Sequence, residues 1–376
     1  MRIAVISHAC VVDVNQRLFR QLCAAHDDVE LLLIAPRRWR ASTGMTVDFK
    51  EVEGATFTSA PLPVIGSGQI SLHLYRGLSR TLRRFSPEIV YLDEEPYSLP
   101  AWQTLRICRR NGYRMCFMTA QNHLKRYPWP FGAVEREVLS YAELAVPPAP
   151  DIVDVLRAKG FGGRIEVIPH FVDTDLFRPL DREDLKRELG LTGFVLGYIG
   201  RLAEEKGLDE LKAAAEILRE RGADVSVLLV GGGPMAERLR TWSRTWPAGR
   251  VVLTGPVPHT AAPEYMNVFD LMVLPSRTMP NWEEQFGRVL IEAPACEVPV
   301  VGSSSGNIPV LIEELGSGVV FPERDAEALA GAIEGLLADP EAMGEMAATG
   351  RRRAEALYGL AAIADRLYDA LSAVPR

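Results

Sequence analysis

Short apolar runs alternate with longer segments of helical periodicity along almost the whole chain. In the first half the runs are apolar along their whole length, which is typical of parallel strands covered on both faces. The segments between them, such as 15–24 and 69–85, show the spacing of amphipathic helices. The runs that we predict to be strands are RIAVIS, VELLLIA, EIVYLD, RMCFMT and LAVPPA. This alternation predicts an α/β fold.

A second series of the same kind follows a stretch rich in proline and polar residues at 165–183. Its predicted strands are FVLGYIG, VSVLLVG, VVLTG, LMVLPS, VPVVGS and GVVF. A chain of 376 residues also exceeds the size at which a single core keeps growing. We therefore predict two tandem Rossmann-like, doubly wound domains, 1–172 and 173–356, that face a cleft. Residues 357–376 are predicted to form a C-terminal helix that can pack on either domain or cross back to the first.

The composition indicates a globular protein. Apolar residues make up 47% of the chain and charged residues 24%, and no low-complexity run interrupts them. No apolar run has the length of a membrane span, and the N-terminus, MRIAVISHAC, enters a predicted strand directly, so we expect a cytoplasmic protein. The five cysteines show no CxxC spacing, which predicts reduced thiols and neither a disulfide framework nor a zinc site.

The two halves differ in charge. Residues 1–172 contain 21 Lys and Arg against 17 Asp and Glu, whereas residues 173–376 contain 21 against 32. A basic first half is compatible with an anionic ligand or an anionic membrane surface beside it. Ordinary variation of surface charge explains the difference equally well, and both interpretations stay open.

A loop with the properties of a phosphate site follows the strand FVLGYIG. The segment GRLAEEKG, 200–207, places Gly200, Arg201 and Lys206 where a strand turns into a helix. Glycine permits close backbone approach, and the two cations supply positive charge for a diphosphate. The alternative is an ordinary basic loop.

Two glutamates eight residues apart form a second constellation, in EEQFGRVLIEA at 283–293. A helix that begins near Gly287 would leave Glu284 on the preceding loop and place Glu292 in the second turn. One carboxylate could then contact a bound ligand while the other accepts from hydroxyls deeper in the site. Apolar residues flank Glu292, which argues against the alternative of two solvated glutamates.

Together these motifs resemble the retaining GT-B glycosyltransferases of family 4. Further matches are VGGGP at 230–234, LMVLPS at 271–276 and PVVGSSSGNIPVLI at 299–312. The resemblance extends from about residue 165 to the C-terminus and is weaker before it. It implies a GT-B fold, with a nucleotide-sugar, a UDP- or GDP-sugar, held by the second domain and a hydroxyl-bearing acceptor held by the first. No nucleic-acid partner is implied.

The resemblance also assigns roles in the donor site. Arg201 and Lys206 would neutralise the diphosphate, Glu284 would contact the transferred sugar, and Glu292 would accept from the ribose. The implied donor-binding residues are Gly200, Arg201, Lys206, Glu284, Phe286, Gly287 and Glu292, and the implied catalytic ones are Glu284, Arg201 and Lys206. With two cations at the diphosphate, we expect no cofactor and no metal, and we interpret the triplet Asp173-Thr174-Asp175 as structural.

The sequence departs from the family in three places. The glycine-rich loop after the first strand is SHACVVDVNQ here, a His-Asp pair is replaced by Gln121-Asn122, and Glu297 stands where relatives have glycine. Polar residues that follow the first domain's strands remain candidates for the acceptor site, with structural roles as the alternative. These acceptor candidates are His8, Asn15, Glu95, Gln121, Asn122 and His123.

Contact with a membrane surface is a further hypothesis for the first domain. Four arginines of the predicted helix 69–85 fall on one face, Arg76, Arg80, Arg83 and Arg84, and the run KRYPWPF at 125–131 offers cations and aromatic rings. A solvated helix is the first choice, because interfacial helices usually carry a stronger apolar face. The alternative to an enzyme is a non-catalytic scaffold or binding subunit that keeps the fold.

Overall fold

The computed structural model describes residues 1–40, 46–280 and 282–375. The chain divides into two compact units. Unit 1 consists of Met1–His170 and Leu360–Arg376, and unit 2 of Phe171–Gly359. Each unit is built around a parallel sheet with helices beside it, which confirms the predicted α/β class with two Rossmann-like domains.

Within the described residues, unit 1 contains a seven-stranded parallel sheet in the order β11-β10-β9-β8-β1-β2-β5. Its strands are β1 (Arg2–Ile6), β2 (Glu30–Pro36), β5 (Thr58–Leu62), β8 (Ile89–Leu92), β9 (Arg114–Met118), β10 (Leu144–Val146) and β11 (Arg164–Ile165). Two antiparallel ribbons are formed by β3 (Arg38–Arg40) with β4 (Thr46–Asp48) and by β6 (Val64–Ile65) with β7 (Leu74–Tyr75). The helices are α1 (Arg17–Ala25), α2 (Leu78–Phe85), α3 (Leu99–Asn111), α4 (Phe131–Tyr141), α5 (Asp151–Ala158) and α14 (Leu360–Ser372).

The central strands of unit 1 explain why its sheet forms. Ile3, Ala4, Val5 and Ile6 of β1 are all at most 1% exposed, so both faces of the strand are covered. In the sheet, β2 lies beside one edge of β1, and β8, which comes later in the chain, lies beside the opposite edge. The order of strands therefore reverses between β1 and β8, and ligands of such sheets bind beyond the carboxyl ends of the strands at this reversal.

The helix predicted over 69–85 is wrong in its first half. Only Leu78–Phe85 is helical, and Leu74–Tyr75 pairs with Val64–Ile65 as a strand. Gly77 precedes the helix in a left-handed conformation, with φ 86°, which separates strand from helix. Pairing with a partner distant in sequence overrode the local periodicity, so Arg76 does not share a helical face with Arg80.

Unit 2 contains a parallel sheet of six strands among the residues described, in the order β14-β13-β12-β15-β16-β17. These strands are β12 (Phe194–Ile199), β13 (Val225–Val230), β14 (Val251–Gly255), β15 (Leu271–Leu274), β16 (Val300–Ser303) and β17 (Gly318–Phe321). The helices are α6 (Glu183–Glu188), α7 (Leu208–Glu220), α8 (Ala236–Ser243), α9 (Ala262–Met266), α10 (Val289–Ala295), α11 (Ile308–Leu315), α12 (Ala326–Ala338) and α13 (Pro340–Tyr358). Here the order reverses between β12 and β15.

A close backbone approach holds the loop after β12 against the end of β15. Gly207 has φ 65°, and a Cβ added there would lie 1.7 Å from the carbonyl oxygen of Pro275. Only glycine fits this position without moving the backbone. The loop 200–207 is therefore anchored at the reversal point of the second sheet.

The last helix belongs to unit 1. α14 begins at Leu360, after Gly359, and packs on α1, where the rings of His26 and Tyr368 stack at 3.7 Å. His26 Nε2 also lies 3.0 Å from the carboxylate of Asp365. Among the described residues, no helix combines the length and the apolar character that a membrane span needs.

Candidate active site

The loop after β12 brings Arg201 to the carboxyl edge of the second sheet. Gly200 directly follows β12 with φ 153°, and Arg201, 61% exposed, forms an ion pair with Glu205 of the same loop. The buried phenol of Tyr198 donates to the carbonyl oxygen of Arg201 at 2.8 Å. Burial raises the pKa of Tyr198 well above its usual range, so the phenol keeps its proton for this bond. The start of the loop is thus tied to the strand that it leaves.

A cavity of about 340 Å³ lies beside this loop, where β12, β13 and β14 end. Its charged and titratable side chains are Arg201, His259 and Glu292, and glycines and apolar residues such as Gly231 and Val257 complete the lining. This volume falls within the range of small-molecule sites, roughly 300 to 1,000 Å³. The cavity therefore combines an apolar wall with a cation at its rim and a carboxylate inside.

Glu292 supplies that carboxylate from the first turn of α10. The helix begins at Val289, two residues after the left-handed Gly287 with φ 68°, so Glu292 lies in its first turn and not in its second as predicted. Glu292 is 4% exposed, and His259 Nε2 lies 2.9 Å from its Oε1. The Nε of Arg288 lies 3.7 Å from the same oxygen. Basic groups thus flank Oε1, which fixes the orientation of the carboxylate.

Glu284 lies on the loop between β15 and α10, as predicted, and is 8% exposed. Its Oε2 lies 2.6 Å from Lys206 Nζ and accepts from Ser276 Oγ at 3.0 Å. The same lysine nitrogen lies 4.6 Å from the centroid of the Trp282 ring. The structure therefore joins two of the predicted site residues, Lys206 and Glu284, although 78 positions separate them.

Phe286 and Gly287 occupy the turn between these two glutamates. The Phe286 side chain is 4% exposed, and its ring lies 5.9 Å from that of Tyr358 in the core. The side chain thus anchors the loop, and only the backbone of these two residues is available for a role at a ligand.

In unit 1, His8 and Glu94 meet at the reversal point between β1 and β8. His8 Nδ1 lies 2.7 Å from Glu94 Oε2, and its backbone N–H donates to Oε1 at 2.8 Å. His73 Nε2 approaches Oε1 at 3.5 Å. Burial lowers the pKa of His8, but the hydrogen bond and charge of Glu94 outweigh burial, and the pKa is raised. Burial raises the pKa of the Glu94 carboxyl, but the interactions with His73 and His8 together outweigh burial, and the pKa is lowered.

Glu95 and Gln121 lie in a second polar network of unit 1. Glu95 accepts from Thr119 Oγ1 at 2.7 Å and from the N–H of Ala120 at 3.0 Å, while burial raises the pKa of its carboxyl. The Gln121 amide donates to the hydroxyl of Tyr127 and accepts from the ammonium of Lys159. The Gln121 amide, one of the acceptor candidates, is therefore held by two side chains of its own unit.

The remaining acceptor candidates have local partners. Asn122 hydrogen-bonds the carboxyl of Asp151, whose pKa is raised by burial, and the charge of nearby His123 opposes that rise. Asn15 donates to the carbonyl oxygen of Ala9 at 2.7 Å and so holds the turns that follow β1.

Asp173, the first residue of the Asp-Thr-Asp triplet, closes a turn. Its Oδ1 accepts from the N–H groups of Asp175 at 3.1 Å and Leu176 at 3.2 Å.

Several of these partners were not predicted from the sequence. His259 follows the strand VVLTG and Ser276 ends LMVLPS, so their position at strand ends was a usable signal. Lys159, 8% exposed and 2.5 Å from Glu135, carried no such signal, because it comes at the end of a helix.

Comparisons with known proteins agree with this architecture. A family model described as "Glycosyl transferases group 1" matches residues 181–353, and one described as "Glycosyltransferase Family 4" matches residues 11–176. Among solved structures, sucrose-phosphate synthase from Thermosynechococcus elongatus superposes with a TM-score of 0.70 at 22% identity, covering 100% of both chains. HepE of Anabaena, solved in complex with UDP, gives 0.73 at 18% identity over 99% of this chain and 100% of that one. These likenesses concern the fold.

Three curated proteins are similar over part of the chain. A GDP-mannose-dependent alpha-(1-6)-phosphatidylinositol monomannoside mannosyltransferase of Mycolicibacterium smegmatis is 36% identical over 52% of this chain and 53% of its own. An alpha-D-kanosaminyltransferase of Streptomyces kanamyceticus is 32% identical over 52% and 51%, and a D-inositol 3-phosphate glycosyltransferase of Segniliparus rotundus 34% over 50% and 42%. The chain thus spans about half the length of the curated relatives that it matches. With a glycosyltransferase family model matched over most of each unit, the chain belongs to the GT-B glycosyltransferases of family 4.

Proposed function

We propose that this protein is a retaining glycosyltransferase that moves a hexose-type sugar from a nucleotide-sugar to a hydroxyl group of an acceptor. The observation that carries the proposal is the arrangement in unit 2. A cavity of about 340 Å³ with Arg201 and Glu292 in its lining lies beside the loop that carries Lys206, whose ammonium is paired with Glu284 of another loop. A nucleoside fits a cavity of this size, and a diphosphate needs the cations beside it.

Arg201 and Lys206 would stabilise the leaving group. Departure of a nucleoside diphosphate concentrates negative charge on phosphate oxygens, and preorganised cations lower that barrier. Lys206 is held in place by Glu284 at 2.6 Å, so its position does not depend on the ligand. We propose that a bound diphosphate shares this ammonium with the carboxylate, and that the backbone at Phe286 and Gly287 donates to phosphate.

The two carboxylates would bind the sugar and the nucleoside. Glu284 accepts from the lysine and from Ser276 through Oε2, which leaves Oε1 for the hydroxyls of the transferred sugar. Glu292 contacts His259 through Oε1, which leaves Oε2 for the ribose hydroxyls. In this scheme each carboxylate has one oxygen fixed by the protein and one offered to the donor.

We propose that the reaction proceeds without a protein nucleophile. The bond between the anomeric carbon and the leaving phosphate breaks, the acceptor oxygen attacks on the same face, and its proton passes to an oxygen of that phosphate. The product then keeps the configuration of the donor, which proton NMR of the new anomeric signal would report.

Either UDP or GDP is the proposed donor nucleotide. The mycobacterial relative uses GDP-mannose and HepE was solved with UDP, so both are candidates for this chain. We also propose that no metal ion is required, since Arg201 and Lys206 would supply the positive charge that a diphosphate needs. Transfer should then persist in EDTA, and restoration of activity only by a divalent ion would contradict this part of the proposal.

A thermal-shift panel of UDP, GDP, ADP and their sugar conjugates tests the proposal, because a ligand that binds only the native state raises the melting temperature. We expect a selective shift with one nucleotide that is lost in Lys206→Ala. The absence of a shift with every nucleotide would favour the second candidate, a non-catalytic scaffold with this fold.

A further inference from the structure

A second cavity, of about 550 Å³, lies in unit 1 and is lined by three arginines, Arg37, Arg38 and Arg40. It adjoins the carboxyl ends of β2 and β5: Arg37 directly follows β2, and its N–H donates to the carbonyl oxygen of Leu62, the last residue of β5, at 2.7 Å. Pro63 and Val64, directly after β5, form part of the wall. The cavity thus lies at the edge of the sheet where ligands of α/β domains bind.

A buried tryptophan anchors the backbone of β3, the strand that carries Arg38 and Arg40. Trp39, the middle residue of β3, is 7% exposed, and its ring lies 5.1 Å from that of His8 and 4.9 Å from that of His73. Side chains alternate along a strand, so Arg38 and Arg40 point to the face opposite Trp39. The strand therefore directs two guanidinium groups to one side while its buried tryptophan fixes it to the reversal point of the sheet.

Hydrogen bonds fix the rim of the cavity as well. The N–H of Arg40 donates to Ser67 Oγ at 2.9 Å, and the N–H of Phe49 donates to the carbonyl oxygen of Arg37 at 2.9 Å. The backbone of these two arginines is thus held on both sides, and an anion that binds there does not have to order the backbone of the loop.

The charge of the cavity is strongly positive. Its lining holds three arginines and one carboxylate, Asp48, which pairs with Arg38 at 2.7 Å across the ribbon. Two guanidinium charges remain in excess, in a chain whose net charge is −7. Guanidinium groups bind phosphate oxygens through paired N–H donors, and this geometry favours phosphate over other anions.

We propose that this arginine pocket binds a phosphate or diphosphate group of the acceptor. The inference rests on the proposed function, in which unit 1 holds the acceptor. A phosphate-bearing acceptor fits the positive charge of this pocket, whereas a cationic acceptor is repelled by it. The phosphate belongs either to a soluble sugar phosphate or to a lipid headgroup, and both present the same oxygens.

The test uses the full chain with Lys206→Ala, which weakens phosphate binding at the donor loop. Inorganic pyrophosphate is titrated by calorimetry into this variant, into the same variant with Arg37→Gln and Arg40→Gln, and into a matched control with Arg80→Gln and Arg84→Gln. The control removes the same number of charges from exposed positions of α2. We expect Arg37→Gln with Arg40→Gln to weaken binding by about 10- to 100-fold, as for the loss of one or two charge-assisted bonds, and the control to change it by less than about threefold.

Equal affinity in the arginine-pocket variant and the control would overturn the inference. Unchanged nucleotide-induced thermal shifts in Arg37→Gln with Arg40→Gln would show that the variant is folded and would leave the proposed function intact. The absence of nucleotide shifts in the unsubstituted chain would instead count against the proposed function and not against the pocket.

Two further arms identify the source of the phosphate. Glucose 1-phosphate represents a soluble acceptor, and vesicles with about 30% phosphatidylglycerol represent an anionic lipid surface. Binding of either probe that is lost in the arginine-pocket variant supports the inference and names the source. If neither pyrophosphate nor either probe binds in a way that depends on Arg37 and Arg40, the inference is overturned.

Discussion

At the scale of single residues, the proposed donor site contains two carboxylates that each have a basic partner. Glu284 is paired with Lys206 and Glu292 with His259. Loss of one partner from a buried pair is costly, because the other charge stays in the protein without compensation. Substitutions that keep shape while removing charge are therefore the informative ones at this site.

Glu284→Gln removes the charge and keeps the volume of the side chain. We expect kcat to fall by about 100-fold with little change in KM for the donor, as when one electrostatic contact to a transition state is removed. Steady-state kinetics would measure this, with Glu283→Gln at the adjacent position as the matched control. A Glu284→Gln variant with normal kcat would remove this glutamate from the mechanism.

His259 has a testable role in orienting Glu292. If its Nε2–H holds Oε1, then Oε2 is presented to the ribose, and the protein should bind its nucleotide about tenfold more tightly than the 2′- or 3′-deoxy form. We expect His259→Phe to abolish this preference and His259→Gln, which keeps a donor, to retain most of it. Titration calorimetry with the two nucleotides would decide, and an unchanged preference in His259→Phe would contradict the assignment.

The His8–Glu94 pair predicts a pH dependence of stability. The pKa of His8 is raised above 6.5, so its stabilising effect is complete below 6.5 and is lost as pH rises through the folded value. The pKa of Glu94 is lowered below 4.5, so its effect is lost as pH falls through that folded value. Asp93 also favours the charged imidazole, and the rings of Trp39 and His73 pack against it.

Urea unfolding of the unsubstituted chain and of His8→Gln measures this effect. The difference in the free energy of unfolding should be largest between about pH 5 and pH 6.5 and should shrink towards about pH 9. A difference that grows with rising pH would show that the histidine is neutral in the folded protein.

At the scale of elements, α10 is followed by a residue whose backbone conformation normally favours glycine. Glu297 follows the helix with φ 58°, a left-handed conformation that disfavours residues with a Cβ. The side chain is exposed. The helix therefore ends on a strained residue whose side chain is not part of the core.

Glu297→Gly should relieve this strain. We expect the free energy of unfolding to rise by about 1 kcal/mol, while Glu297→Ala, which keeps the Cβ, should give no such gain. Chemical denaturation of the three proteins is the measurement. A gain with alanine equal to that with glycine would attribute the effect to the lost charge and not to the backbone.

At the scale of the whole molecule, donor and acceptor functions are assigned to different units. The donor motifs lie in Phe171–Gly359, and the arginine pocket lies in the unit formed by Met1–His170 and Leu360–Arg376. Each group of residues stands at the carboxyl edge of its own parallel sheet. Binding of the two substrates can therefore be followed separately.

Hydrogen exchange with the selected nucleotide tests this assignment. We expect amide exchange to slow in 200–207 and 284–292, because the nucleotide contacts these loops and suppresses their local opening. In the Lys206→Ala variant, inorganic pyrophosphate should instead slow amide exchange in the residues around Arg37 and Arg40. Protection by the nucleotide that is confined to unit 1 would contradict the assignment of the donor site.

The sequence by itself determined the class of fold and most of the donor motifs. Strands such as β1 and β12 are apolar along their length, so their type is encoded in the residues themselves. The loop 200–207 and the pair Glu284 and Glu292 are contiguous or nearly so, and could be found without knowledge of the sheet.

Only the tertiary structure decided which side chains meet. Lys206 and Glu284 lie 78 positions apart, His8 and Glu94 lie 86 apart, and Arg40 meets Ser67 through a ribbon that local periodicity did not predict. The helix predicted at Leu74–Tyr75 is a strand for the same reason, since its partner is a distant segment. Periodicity reports on about ten neighbouring residues, whereas contacts between strand ends depend on strand order, which only the assembled sheet specifies.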